Sequence, residues 1–344
     1  MEGGLRPGSA VAGRGWPECR DDPTLADIYR ARARIAGFAR RTPIVRSQSL
    51  SERTGAAVYL KPETLQPTGS FKVRGAASAI LALPKDKLAK GVVTVSTGNH
   101  GRAVAHVAHE AGARAVVCLS GMVSEERRNA IRAAGGEVRI HGRSQDEASE
   151  LAFKLARDEG LTMVNPFDDF HVIAGQGTAG LELIEDLPGL DTALVPVSGG
   201  ALLGGIALAL KSARPAIRVV GVSMERGASM HASLAAGRPV QVEEVESLAD
   251  CLQGGIFPDN KFTFRMAKAL VDDLVLVSED EIAAAMAHAL WRERLVVEGS
   301  GAVGIAAILS GKAGPLGQNV AIVLSGGNVE MARLIDIARA GRPA

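Results

Sequence analysis

Between residues 91 and 164, short apolar runs alternate with amphipathic stretches, and this alternation constrains the fold more than any other feature of the chain. The runs 92–95, 115–119, 137–140 and 162–164 read as strands, and helical patterns begin between them near Gly101, Ser124 and Ser144. Strands separated by helices cannot close as hairpins, so they pair in parallel through right-handed crossovers. A second series starts at Ile173: helix 174–186, strand 192–197, helix 201–212, strands 217–222 and 274–277, helices 279–294 and 301–311, and strand 319–324. Ser278 and Glu281 have capping-box spacing at one of these starts. The pattern predicts an α/β molecule with two parallel-sheet lobes, the smaller (91–164) inserted in the larger (23–90 and 165–337). Ligands of such sheets bind in the crevice at the strands' carboxyl ends.

Ahead of these lobes, Leu25, Ile28, Ile35 and Phe38 mark an amphipathic helix over 24–40, which Pro43 ends. Residues 1–22, rich in Gly, Arg and Pro, read as a disordered extension without the apolar stretch of a secretory signal. No run approaches the roughly 18 apolar residues that span a bilayer. With 344 residues and 47% hydrophobic content the chain can bury a large core. A formal net charge of +1 without blocks of like charge points away from nucleic acid and membrane partners and towards small, near-neutral substrates. Cys19, Cys118 and Cys251 lie far apart without metal-ligand spacing. That argues against a disulfide scaffold or a zinc site and for a reducing, cytoplasmic setting.

The candidate chemistry sits in the turns. In Pro67-Thr68-Gly69-Ser70-Phe71-Lys72-Val73-Arg74-Gly75-Ala76, Pro67 and Gly69 break the backbone after the strand-like run 57–60. Ser70 is placed to cap the next helix, and Lys72 falls in its first turn. The helix dipole disfavours an ammonium there by ~0.3 to 1 kcal/mol, so an uncharged amine is tolerated. Ser198-Gly199-Gly200-Ala201-Leu202 follows a strand and opens a helix, where backbone N–H groups converge on an anion, although an ordinary strand-to-helix turn has the same signature. Ser96-Thr97-Gly98-Asn99-His100-Gly101 is a second loop of that kind, and Ser325-Gly326-Gly327-Asn328 ends the last apolar strand.

These four segments, with Gly175-Gln176-Gly177-Thr178, resemble in order the motifs of the fold-type II pyridoxal phosphate enzymes, the group containing threonine dehydratase and serine racemase. The resemblance runs from about residue 40 to about residue 335. It implies a tryptophan synthase beta-like fold and pyridoxal 5′-phosphate as cofactor. It further implies that Lys72 carries the cofactor and later removes the Cα proton, with Phe71 packed beside it. Ser198, Gly199, Gly200, Ala201 and Leu202 would hold the phosphate, Asn99 would contact the 3′-oxygen, and Ser325 would face the pyridine nitrogen. Ser96, Thr97, Gly98, Asn99 and His100 would hold the substrate carboxylate. Asn165-Pro166-Phe167-Asp168 and the 175–178 motif would connect and support the lobes near the site.

The activity so implied is a dehydratase (ammonia-lyase) that converts a β-hydroxy-α-amino acid to a 2-oxo acid and ammonia. A neutral hydroxyl at the ring nitrogen withdraws electrons less than a protonated ring held by a carboxylate, which favours elimination over transamination. Some relatives bind a divalent cation after the strand read at 219–222; Ser223 and Ser229 stand there with Glu225 displaced, so no metal is expected. Ala201 replaces a usual glycine and is strained if its position needs positive φ. Cys251 also stands where threonine dehydratases tend to have glycine, which puts threonine itself in question. The segments 95–102 and 248–255 also resemble dehydratases of hydroxyectoine utilisation, whose ring-opened substrate has an α-amine and a β-hydroxyl. Related serine racemases carry serine at Thr97, which disfavours racemisation here. A racemase, and a non-catalytic binding protein on the same fold, are the alternatives. By resemblance the chain forms a homodimer or homotetramer.

Overall fold

The computed structural model describes residues 22–96, 98–256 and 258–342, so the 1–22 segment apart from Asp22, with Cys19, and the candidate Thr97 lie outside the described residues. The strands are β1 (Val45–Ser47), β2 (Ala57–Pro62), β3 (Val92–Val95), β4 (Ala115–Leu119), β5 (Glu137–Ile140), β6 (Thr162–Met163), β7 (Thr192–Pro196), β8 (Arg218–Met224), β9 (Asp273–Val277) and β10 (Asn319–Leu324). They make a six-stranded sheet of order β1-β2-β10-β7-β8-β9 and a four-stranded sheet of order β5-β4-β3-β6. Only β1 pairs antiparallel, with β2; the other pairings are parallel. The four-stranded sheet falls in sequence between β2 and β7. The fold is therefore α/β, tryptophan synthase beta-like, with two parallel-sheet lobes.

Burial explains the composition of the strands. The central β7 is buried along its whole length and β10 from Val320 to Leu324, so both read as continuous apolar runs instead of alternating ones. Helices Phe170–Asp186 and Ala201–Ala213 pack at close range because Gly177 faces Gly205: a Cβ on Gly177 would stand 2.9 Å from the Gly205 carbonyl oxygen.

Several boundaries differ from expectation: the helix expected from residue 174 starts at Phe170, where Asp169 caps it, and the one expected at 301–311 spans Gly299–Leu309. The first helix, opened by a capping box between Thr24 and Asp27, spans Leu25–Arg34 instead of reaching residue 40, because the chain turns at Gly37 with φ +89°. The helix expected at 279–294 is α-helical over Glu279–His288, with the Ser278–Glu281 capping box, and then widens to a π-turn over Ala289–Glu293 that Arg294 ends at φ +61°. Ser70 does not cap helix Lys72–Ile80: Phe71 is the N-cap, without a side-chain hydrogen bond, and the Ser70 hydroxyl is buried and unpartnered. Ser70 is instead drawn into a bridge with Gly326.

Behind that helix lies a buried ionic knot. The Arg74 guanidinium donates to both Glu63 oxygens at 2.8 Å and to both Glu182 oxygens at 2.6 and 2.8 Å. Lys61 Nζ donates to Glu182 and to the Thr42 carbonyl, each at 2.6 Å. All four charged side chains are at most 6% exposed, and two cations balance two anions. Burial alone would raise the Glu63 carboxyl; Arg74 and Lys61 hold it below the usual carboxylate range. Arg74→Ala would leave two buried carboxylates short of donors and is expected to remove about 3–5 kcal/mol of stability. The check is the denaturant midpoint, and Arg74→Lys should fall between, since an ammonium cannot bridge two carboxylates as a planar fork does.

Candidate active site

Four of the candidate segments follow parallel strands directly: 96–100 follows β3, 165–168 follows β6, 198–202 follows β7 and 325–328 follows β10, whereas the 175–178 motif lies inside helix Phe170–Asp186. The Lys72 and Ser325 turns are zipped together. Phe71 N–H donates to the Ser325 carbonyl at 3.0 Å and Gly327 N–H to the Gly69 carbonyl at 2.9 Å. Gly69 makes this possible at φ +72°, in a turn closed by its N–H on the Gln66 carbonyl.

Lys72 is the first residue of its helix. Its Nζ donates to the Pro166 carbonyl at 2.8 Å and sits 5.3 Å from the Phe71 ring centroid. No carboxylate among the described residues pairs with it. Burial therefore prevails, and the amine is pushed down to about 8.

Around Asn99 a second network spans the lobes. Asn99 Nδ2 donates to Glu298 Oε1 at 2.7 Å, and Asn99 Oδ1 accepts from Asn328 Nδ2 at 2.6 Å. Asn328 N–H donates to Glu298 Oε2 at 3.1 Å. Burial and the nearby Asp250 push the Glu298 carboxyl up to about 7, against these donors and Arg102. Cys251 Sγ lies 3.5 Å from Asn99 Nδ2 and over Gly98, and its thiol is raised by burial, Glu298 and Asp250. Arg127 pairs with Asp250, and Arg102 donates to Asn328 Oδ1. Glu298 and Arg127 lie outside the segments the sequence singled out, and Arg102 and Asp250 fall within the 95–102 and 248–255 segments without a role assigned there. Glu298 left a signal, being a lone acid between Leu295-Val296-Val297 and Gly299-Ser300-Gly301 at a helix start.

His100 is buried, its Nε2 3.1 Å from the Val164 carbonyl oxygen, and burial with the Lys72 charge pushes it down to about 3. The neutral ring donates to that carbonyl, a fixed structural bond. Ser96 Oγ accepts from Gly98 N–H at 3.4 Å, and Ser325 Oγ, also buried, donates to the Ser300 carbonyl at 3.4 Å.

At the 198–202 turn, Gly200 is the N-cap of helix Ala201–Ala213, at φ +94° and without a side-chain cap. Ala201 and Leu202 are helical and buried, so the left-handed residue is Gly200 and Ala201 is unstrained. A Cβ on Gly199 would run into the Phe167 ring, and one on Gly200 would stand 2.9 Å from Thr263 Cβ. Ser198 Oγ reaches only the Gln253 carbonyl, at 3.5 Å. The result is a helix N-terminus without a side-chain cap, approached through glycine, suited to an anion. An amine of low basicity, an uncapped anion cradle and a buried hydroxyl, each at a strand's carboxyl end, fit pyridoxal phosphate.

After β8, where some relatives bind a cation and none is expected here, Ser229 and Glu225 make other contacts. Ser223 Oγ is buried and unpartnered, Ser229 donates to the Gly254 carbonyl at 3.0 Å, and Glu225 pairs with Lys312.

In the cofactor-free protein, acylation of Lys72 is expected to rise with a midpoint near pH 8, well below that of solvated lysines, because the reactive form is the neutral amine. Peptide mapping after labelling across pH checks this, and a midpoint near 10.5 would contradict the assigned burial.

The family model described as "Pyridoxal-phosphate dependent enzyme" matches residues 35–326. A provisionally named threonine dehydratase of Sinorhizobium fredii is 52% identical over 90% of this chain and 93% of that protein. The L-threonine ammonia-lyase of Thermotoga maritima is 42% identical over 91% of this chain and 77% of its own length. Among solved structures, maize serine racemase superposes with a TM-score of 0.87 at 32% identity, covering 92% of this chain and 97% of that one. With the geometry of the Lys72 and 198–202 turns, these matches place the chain in the pyridoxal-phosphate-dependent enzyme family, in its threonine dehydratase and serine racemase group.

Proposed function

We propose that this protein is a dehydratase that eliminates water from a β-hydroxy-α-amino acid and releases a 2-oxo acid and ammonia. The observation that carries the reading is the half-buried Lys72 amine, which donates to the Pro166 carbonyl at 2.8 Å beside the Ser325 turn and has no carboxylate partner among the described residues. Pyridoxal phosphate, when bound, supplies an electron sink for the pair left when a bond at Cα breaks. Lys72 would hold it through its amine, Phe71 would pack beside it, and Ser325 would face its ring nitrogen. Ser198, Gly199, Gly200, Ala201 and Leu202 would cradle its phosphate, and Asn99 would face its 3′-oxygen. The loop Ser96, Thr97, Gly98, Asn99 and His100 would orient the substrate carboxylate through backbone donors.

The low basicity of Lys72 suits it to take the Cα proton near neutral pH. His100, pushed down to about 3, stays neutral and carries no proton. The named dehydratases among the relatives support elimination as the outcome. The likeness to maize serine racemase favours racemisation as the second reading. The finer substrate, a ring-opened hydroxyectoine derivative in place of threonine, draws its support from the 248–255 segment, where Cys251 borders the Asn99 loop. In this reading residues 91–164 form the inserted lobe, and the protein works in the cytoplasm as a homodimer or homotetramer, which light scattering would test.

The visible spectrum of the purified protein, followed while L-threonine, L-serine and ring-opened hydroxyectoine are added and ammonia is assayed, tests the proposal. The expected result is a visible band perturbed by one compound that also releases ammonia. Lys72→Ala should remove the band and lower ammonia release by at least ~10³-fold. A D-amino acid accumulating in place of ammonia would favour racemisation, and a protein without a band would end the reading.

A further inference from the structure

We propose that Glu298 is a positioning residue of this site, fixing the Asn99 amide so that one of its hydrogens is held back and the other is aimed into the crevice. The inference rests on the function proposed above, and adds a residue that neither the motifs nor that reading used.

The hydrogen bonds determine the orientation. Asn328 Nδ2 donates to Asn99 Oδ1 at 2.6 Å, which leaves Asn99 Nδ2 facing the other way. One of its hydrogens goes to Glu298 Oε1 at 2.7 Å, and the second points to the crevice side, where it donates to Cys251 Sγ at 3.5 Å. The Asn328 side chain is itself held, with Nδ2 also on the Thr68 carbonyl at 2.8 Å and Oδ1 receiving Arg102. Glu298 is 4% exposed and caps the start of helix Gly299–Leu309, with Gly326 leaving room for its carboxyl. Both of its oxygens accept N–H bonds, from Asn99 and from the Asn328 backbone. An amide cannot replace it: in either orientation a glutamine would set its NH₂ against one of these donors.

The same carboxyl connects the site to pH. The groups that face it are Asp250, whose charge opposes ionisation, Arg102, whose charge favours it, and the Cys251 thiol. Arg127, paired with Asp250, and Lys72 lie further along the same crevice. With burial as the largest influence, Glu298 is placed to titrate near 7. A carboxyl whose folded value lies above its unfolded value near 4.5 adds stability that is full below 4.5 and fades as pH rises to about 7. When Glu298 gains a proton, one oxygen ceases to be a full acceptor and the grip on Asn99 changes.

The experiment compares wild type with Glu298→Gln in two ways. In the cofactor-free protein, melting temperature is followed from pH 4.5 to 8; the fall that wild type shows across this window should be smaller in Glu298→Gln. In the cofactor-loaded protein, the visible band is titrated over pH 5.5 to 8.5; the wild-type inflection near pH 7 should vanish in Glu298→Gln and be restored in Glu298→Asp. An unchanged inflection in Glu298→Gln overturns the inference. If Glu298→Gln does not fold, Asn99→Ala takes its place: the fall in stability should remain but move to higher pH, because Glu298 loses a donor that lowers it, while the spectral inflection is lost, and a retained inflection is again fatal. A wild-type protein that binds no pyridoxal phosphate overturns the function proposed above and this inference together. A bound cofactor whose spectrum is indifferent to Glu298→Gln and Asn99→Ala overturns this inference alone.

Discussion

The site depends on one buried contact set, the grip of Arg74 on Glu63 and Glu182. Arg74 lies two residues after Lys72, so its guanidinium ties the first turn of helix Lys72–Ile80 to the end of β2 through Glu63 and to helix Phe170–Asp186 through Glu182. Four charges removed from water favour folding only when each hydrogen-bonding position is filled, and here Thr42, Thr178 and two backbone carbonyls complete the set. Such a knot is a poor source of stability compared with apolar packing of the same volume. Its value lies in geometry, since a two-carboxylate fork admits only one placement of the Lys72 backbone.

The parallel architecture was legible in the sequence because buried parallel strands leave continuous apolar runs, and β3, β4, β5 and β10 fall at the predicted positions. Boundaries were less legible where a single backbone conformation decides them. Gly37 ends the first helix by a positive φ that periodicity does not record, and Arg294 takes the left-handed region against its own preference. Ser70 misled because a serine before a helix is a common cap, and here its backbone is committed to the bridge with Gly326 instead.

Within the site, the turns were legible and their cross-connections were not. Lys72, Asn99, the 198–202 turn and Ser325 announce themselves by glycine spacing, because close backbone approach demands it. Glu298, Arg102, Arg127 and Asp250 make contacts between segments far apart in sequence, and an isolated charge in a sequence does not reveal its partner. Four contacts, Arg127 with Asp250, Arg102 with Asn328, and Asn99 with both Glu298 and Asn328, join the 96–133 region to segments that border the six-stranded sheet. Polar contacts thus bridge the crevice, which Asn99, Arg102, Arg127, Asp250, Cys251 and Asn328 line.

Burial acts on three ionisable groups of the crevice with opposite chemical results. It pushes Lys72 down to about 8 and His100 down to about 3, and it pushes Glu298 up to about 7. Each shift favours the neutral form, as a poorly hydrated crevice requires. The consequence is a division of labour: His100 is too weak a base to hold a proton, so it serves as a fixed donor to Val164, while Lys72 and Glu298 both change state within reach of neutral pH. Asn99 stands between them: its amide donates to Glu298 on one side and to Cys251, which adjoins the Lys72 amine, on the other. Among the described residues no ion pair joins Glu298 to Lys72, so that carboxyl does not hold the lysine as an inert ammonium.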